Sequence, residues 1–167
     1  LIIAGDEVEE AVEELVKSEI PCVGIDIELD GPRSSYVMTD NVNLSRKVVQ
    51  SLYSNGIRDI GFIGGERNSA VARNRKKGFV ETMQKLGMEI NEKWMQYGDY
   101  YEESGYRAMK KMLETKPYPK AVFDTSDLMA FGAIRAVREA GLRVPEDIRI
   151  IGCDDIDACR YSSPKLS

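Results

Sequence analysis

An α/β fold, a parallel sheet flanked by helices, is predicted by three observations. Short apolar runs alternate with amphipathic stretches over nearly the whole chain, the rhythm of βα units. The balance of 43% apolar and 31% charged residues fits a globular domain rather than a disordered segment. Near the C-terminus, an apolar run follows a Pro145-Glu146-Asp147 turn and ends in Asp154-Asp155. Carboxylates at a strand end mark the edge of an open α/β sheet where loops form ligand crevices.

The elements follow in order. Residues 1–4 form a short strand, and Asp6 caps a helix that buries Val8, Ala11, Val12, Leu15 and Val16 at three-and-four spacing. Pro21 opens a strand over 22–27. The segment 28–35 is looser, and its Asp30-Gly31-Pro32 turn marks a lobe boundary. A strand over 36–39 runs into Asp40-Asn41, either of which can cap the helix carrying Leu44, Val48, Val49 and Leu52, ended by Asn55-Gly56. After a strand over 60–63, Gly64-Gly65 and a polar loop lead to a helix with Arg75, Phe79, Met83 and Leu86, stopped by Gly87. A short strand over 94–97, a helix over 102–113 and a strand over 121–123 follow. The last helix spans 127–140 with Asp127 as its cap and Gly141 as its stop, and it precedes the strand that ends in Asp154.

Composition narrows the functional classes. A net charge of −5 argues against a broad electropositive face, so if the parent protein contacts nucleic acid, another segment does so. No apolar run approaches the roughly 20 residues needed to span a bilayer. Cys22, Cys153 and Cys159 are odd in number and lack CxxC spacing, and no histidine is present to complete a zinc site. These features point to a reduced, cytoplasmic compartment with no bound metal or cofactor. The absence of histidine also removes the usual catalytic base, which disfavours an enzyme.

Candidate binding residues collect at strand ends. Arg75 lies one turn into its helix after a Gly-rich turn, where its guanidinium either grips a ligand's hydroxyls or carboxylate or joins a solvated cluster with Arg73, Lys76 and Lys77. Tyr100, beside Gly98-Asp99, either stacks on a ring-shaped ligand or covers the core edge. Asp26 and Ser126 stand at two further strand ends, and Asp154 at the last. Together they offer donors, acceptors and a stacking face, without a nucleophile–base pair or a phosphate loop, so binding is favoured over chemistry.

In order and spacing, several motifs resemble the effector-binding domain of the lactose/galactose repressor family of bacterial transcription regulators, whose fold is like that of periplasmic binding proteins. They include Thr39-Asp40-Asn41, the run from Gly56 through Ile60 to Gly65, Arg75-Lys76-Lys77-Gly78-Phe79, Gly98-Asp99-Tyr100, Ser104-Gly105-Tyr106-Arg107-Ala108-Met109, and Ser126-Asp127-Leu128-Met129-Ala130-Phe131-Gly132. The stretch 144–156 completes the set, and the match covers almost all of the chain.

The resemblance implies two lobes closing on a small effector, expected to be a sugar, with lobe movement passed to a separate DNA-binding head. Arg75 would grip the effector, Asp154 would accept its hydrogen bonds, Tyr100 would stack on it and Ser69 would line the loop before Arg75. Residues 1–28 would be the tail of the N-terminal lobe, 29–161 the C-terminal lobe, and 162–167 the start of a return crossover. The helix-turn-helix head that contacts operator DNA would lie outside this chain. A homodimer contact would use the last helix and the loop after Asp154, through Phe131, Arg135 and Tyr161. Two positions depart from the family pattern: Ser126 replaces a frequent asparagine, and Cys153 a frequent tyrosine. Two other readings remain: an exported solute-binding protein serving a sugar transporter, and an α/β enzyme using Asp26 or Asp154 as base or phosphate acceptor.

Overall fold

The computed structural model describes residues 1–4, 12, 14, 16–17 and 20–166, and shows two parallel sheets. The first has the order β1 (Ile2–Ala4), β2 (Cys22–Ile25), β3 (Ser34–Val37). The second has the order β5 (Met95–Tyr97), β4 (Ile60–Gly64), β6 (Ala121–Asp124), β7 (Arg149–Ile151). Its helices are α1 (Asn41–Ser54), α2 (Ala70–Lys85), α3 (Glu102–Met112), α4 (Asp127–Glu139) and a short α5 (Ala158–Tyr161), which sequence reasoning missed. The cap expected at Asp6, with Val8, Ala11 and Leu15, lies outside the described residues; Val12 and Val16 pack against Cys22 and Leu29.

Three boundaries differ from expectation for local reasons. Strand β2 stops at Ile25 because Asp26 takes a left-handed φ of 56°, which an extended strand cannot continue. Strand β3 begins early, where the Ser34 hydroxyl closes a turn by donating to the Gly31 carbonyl at 2.9 Å. Because β3 pairs with β2 in the register Cys22↔Ser34 to Ile25↔Val37, residues 34–37 belong to the first sheet. Trp94 ends a single 3₁₀ turn (Glu92–Trp94) rather than opening β5, since the Asn91 side chain accepts from the Lys93 N–H and caps that turn.

The second sheet is covered on both faces, as parallel sheets require. On one side Ile60, Phe62 and Phe123 meet Val49 and Leu52 of α1 and Phe79 and Met83 of α2. On the other, Ile63, Val122 and Ile150 meet Met109 and Met112 of α3 and Met129, Ala133 and Val137 of α4. Helices α3 and α4 cross closely: a β-carbon on Gly132 would stand 2.0 Å from the Glu102 carbonyl oxygen, and one on Gly105 would stand 2.1 Å from that of Met129. In the first sheet, Ile2, Val23, Ile25 and Val37 share one exposed apolar face. Among the described residues, no helix is long and apolar enough to cross a membrane.

Candidate functional site

The carboxyl ends of β4, β5, β6 and β7 lie side by side because the strands are parallel and in register, with Gly64 beside Tyr97 and Ile63 beside Asp124. Arg75 reaches over these ends from the second turn of α2. Its Nε–H donates to Asn41 Oδ1 at 2.8 Å and an Nη1–H donates to the Thr125 carbonyl at 2.5 Å. The guanidinium thus bridges α1, α2 and the end of β6, and its remaining donors make no hydrogen bond among the described residues.

Asn41 was expected only as an alternative cap. Asp40 is the cap, accepting from the Asn43 N–H at 2.9 Å, and Asn41 turns inward, 3% exposed, to hold Arg75. The sequence signal for this role is the Asp40-Asn41 doublet itself, since only one of two adjacent residues can cap.

Tyr100 has a φ of 69°, and its ring lies against Gly65, where an added β-carbon would stand 2.0 Å from the ring. Any other residue at 65 would displace the tyrosine. The Tyr100 hydroxyl donates to Ser69 Oγ at 3.3 Å, and Ser69 Oγ also accepts from the Ala72 N–H at 3.3 Å as the N-cap of α2. Ser69 is buried and acts on the site by holding Tyr100 and starting the helix that carries Arg75.

Asp154 follows β7 on an exposed loop, with φ values of 135° at Asp154 and 57° at Asp155. Partial burial raises the Asp154 pKa, and the Arg75 charge opposes that rise, which places the two groups in electrostatic reach. Burial also pushes the adjacent Cys153 thiol up to about 11.

The loop bearing Asp154 is tied down by Asp127. The expectation that Asp127 caps the last helix is corrected: Ser126 occupies the cap position, without a side-chain cap bond, and Asp127 is the first helical residue. Asp127 Oδ2 instead accepts from the Ile156 N–H at 3.0 Å and from the Cys159 thiol at 3.1 Å. Ser126 is only 5% exposed. Asp26 is held separately, accepting from the Thr39 N–H at 3.3 Å across the ends of the first sheet.

Asp124, at the end of β6, was not singled out by the sequence. It is fully buried, and neither carboxyl oxygen has a hydrogen-bond partner within normal geometry among the described residues, although the Ser126 N–H partly moderates the effect of burial. Burial, reinforced by the charges of Asp127 and Asp154, raises its pKa well above 3.8. A raised folded-state value means that its favourable contribution is full below the unfolded value and is lost as pH rises through the folded one. Asp124→Asn should therefore gain stability relative to the parent sequence as pH increases from about 4 to 8. Thermal unfolding across that range checks this; a difference independent of pH would contradict a buried neutral carboxyl.

Of the residues expected at a dimer contact, Tyr161 is 86% exposed and Phe131 packs partly on the core. Arg135 is engaged within the chain, with Glu102 at 3.2 Å, Glu103 at 2.8 Å and the Tyr106 ring at 4.0 Å. Cavities of about 460 Å³ and about 300 Å³ lie elsewhere. The larger, lined by Tyr53, Asp59, Met88 and Trp94, sits at the opposite, amino ends of the strands, away from the Arg75 cluster.

Comparison with known proteins fits this geometry. Residues 49–167 match the family model described as a periplasmic binding protein-like domain. A curated HTH-type transcriptional repressor PurR from Pasteurella multocida is 36% identical over 168 residues, covering all of this chain and 50% of that protein. The chain spans about half the length of such a relative. A LacI-family regulatory protein from Chloroflexus aggregans superposes with a TM-score of 0.89 at 28% identity, covering 99% of this chain and 60% of that one. The transcriptional regulator CelR in complex with cellobiose gives 0.88 at 32% identity, covering 99% and 51%. The chain belongs to the periplasmic binding protein-like family, in the form found in the regulatory domains of lactose/galactose-type repressors.

Proposed function

We propose that this chain is the effector-binding and dimerisation part of a cytoplasmic bacterial transcription regulator, sensing a small molecule in a crevice at the strand ends and coupling its binding to operator DNA. The DNA contact would be made by a helix-turn-helix head carried elsewhere in the parent protein. The observation that carries this reading is the Arg75 fork, fixed by Asn41 and Thr125 in electrostatic reach of Asp154, at the strand ends where Tyr100 also stands. Arg75 supplies charge-assisted donors, Asp154 an acceptor and Tyr100 a stacking face, a set suited to a polyhydroxylated ring. The cellobiose complex of the CelR neighbour supports a sugar or related metabolite. In this reading the first sheet, with Asp26, belongs to one lobe and the second sheet to the other. An effector that contacts both favours the closed arrangement by its differential affinity, and that preference is the coupling free energy felt at the operator. Phe131, Arg135 and Tyr161 would contribute to the two-fold contact that matches a palindromic operator.

The test is thermal unfolding of the complete parent protein against monosaccharides, disaccharides, sugar phosphates and purines. A ligand at 100 times its Kd adds about 2.7 kcal/mol, a rise of roughly 5–10 °C for a domain of this size. A shift from one sugar names the effector class. A shift from purines alone corrects the sugar assignment, and no shift across the panel removes small-molecule sensing of these classes.

A further inference from the structure

Around the corner of α2 from Arg75, two cations converge on one aromatic ring and a third stands beside them. The Arg67 guanidinium carbon lies 4.0 Å from the Tyr97 ring centroid, and Lys76 Nζ lies 5.6 Å from it. With Arg73 and Ala72 these residues line a cavity of about 240 Å³. Among the described residues, none of the three cations is within ion-pair distance of a carboxylate, whereas Arg107, Arg135, Arg143 and Arg160 all are. The concentration runs against the sign of the whole chain: five of the six charged residues between 66 and 77 are cations, in a protein of net charge −5.

Cation–π attraction to Tyr97 offsets part of the repulsion among these groups. Tyr97 itself is fixed, with its ring edge-on to Phe62 at 6.5 Å between centroids. The result is a set of guanidinium and ammonium donors gathered round a small space by a rigid wall, and their remaining repulsion is relieved when an anion enters. The size and forked donors suit a compact dianion that can accept from several directions at once. An extended nucleic-acid strand would need a basic face much longer than one pocket.

We infer that the Arg67–Arg73–Lys76–Tyr97 pocket is a second binding site, separate from the Arg75 crevice, for a compact phosphate-bearing small molecule. Three of its lining residues, Ala72, Arg73 and Lys76, lie on the helix that also carries Arg75. The site stands independently of the effector reading, because none of its lining residues belongs to the Arg75 cluster.

Calorimetric titration of the complete parent protein with inorganic pyrophosphate at low ionic strength tests the site. The expected result is saturable binding that weakens at least tenfold in the Arg67→Ala/Lys76→Ala variant and stays within about twofold in Arg75→Ala. All three cations are exposed, so the substitutions leave the core untouched; Arg73→Ala serves as an independent variant with the same expected direction. Succinate, a dianion without phosphate, should bind at least tenfold more weakly. Absent saturation, or an affinity unchanged in the double variant, overturns the site. Equal binding of succinate overturns its assignment to phosphate.

Discussion

Phe62→Ala is expected to destabilise the chain by about 3–5 kcal/mol, lowering the melting midpoint by roughly 6–20 °C. Phe62 is completely buried at the centre of β4, one of the two interior strands of the second sheet. Its ring centroid lies 5.0 Å from that of Phe79 on α2, 5.9 Å from Phe123 on β6 and 6.5 Å from Tyr97 on β5. Truncation removes the transfer free energy of the ring and leaves a cavity that three aromatic neighbours cannot fill together without leaving their rotamers. Phe62→Leu should retain more than half of the lost stability. Chemical or thermal denaturation distinguishes the two, and a loss below about 1 kcal/mol for the alanine variant would mean that the aromatic cluster is not the centre of the core.

Arg75→Ala is expected to weaken effector binding by at least about 30-fold, because it removes the charged donors of a partly desolvated site. It should also cost the fold about 1–3 kcal/mol, since the nearly buried Asn41 loses the partner of its side-chain oxygen. That second effect separates this residue from an ordinary surface arginine. Asn41→Ala should reproduce part of the binding loss without touching any ligand donor, by leaving the guanidinium unheld. Effector affinity and the melting midpoint, measured in the complete parent for both variants, check the pair. Unchanged affinity in Arg75→Ala would remove Arg75 from the site.

The parallel architecture was legible because each βα unit writes its period into the chain: Val49 and Leu52 on α1, Phe79 and Met83 on α2, and Met109 and Met112 on α3 all reach the core faces that their spacing predicts. Tyr100 and Asp154 could be marked as candidates because they lie just past strand ends, and Arg75 because it lies early in the helix after the Gly64-Gly65 turn, so their placement follows local chain direction. What remained hidden depends on contacts distant in sequence. Arg75 meets Asn41 across 34 positions, and Asp127 meets Cys159 across 32, so neither partner carries a local pattern. Asp127 was misassigned for the same reason: a carboxylate at a helix start reads as a cap unless a remote loop is known to compete for it. The early start of β3 reflects a turn closed by Ser34, which apolar periodicity does not report.

The left-handed backbone at Asp26, Tyr100 and Asp155, and the φ of 135° at Asp154, limit which residues evolution or design can place there. Glycine, asparagine and aspartate enter such conformations at least cost, while β-branched side chains lose about 1–2 kcal/mol before any ligand is considered. The recognition alphabet at these strand ends is therefore short, and a change of specificity is more readily reached through neighbours on ordinary backbone, such as Ser126 with its extended φ of −155°. A saturation scan read for folding alone should show the narrowest tolerance at Asp154 and Tyr100 and a broad one at exposed positions only a few residues away.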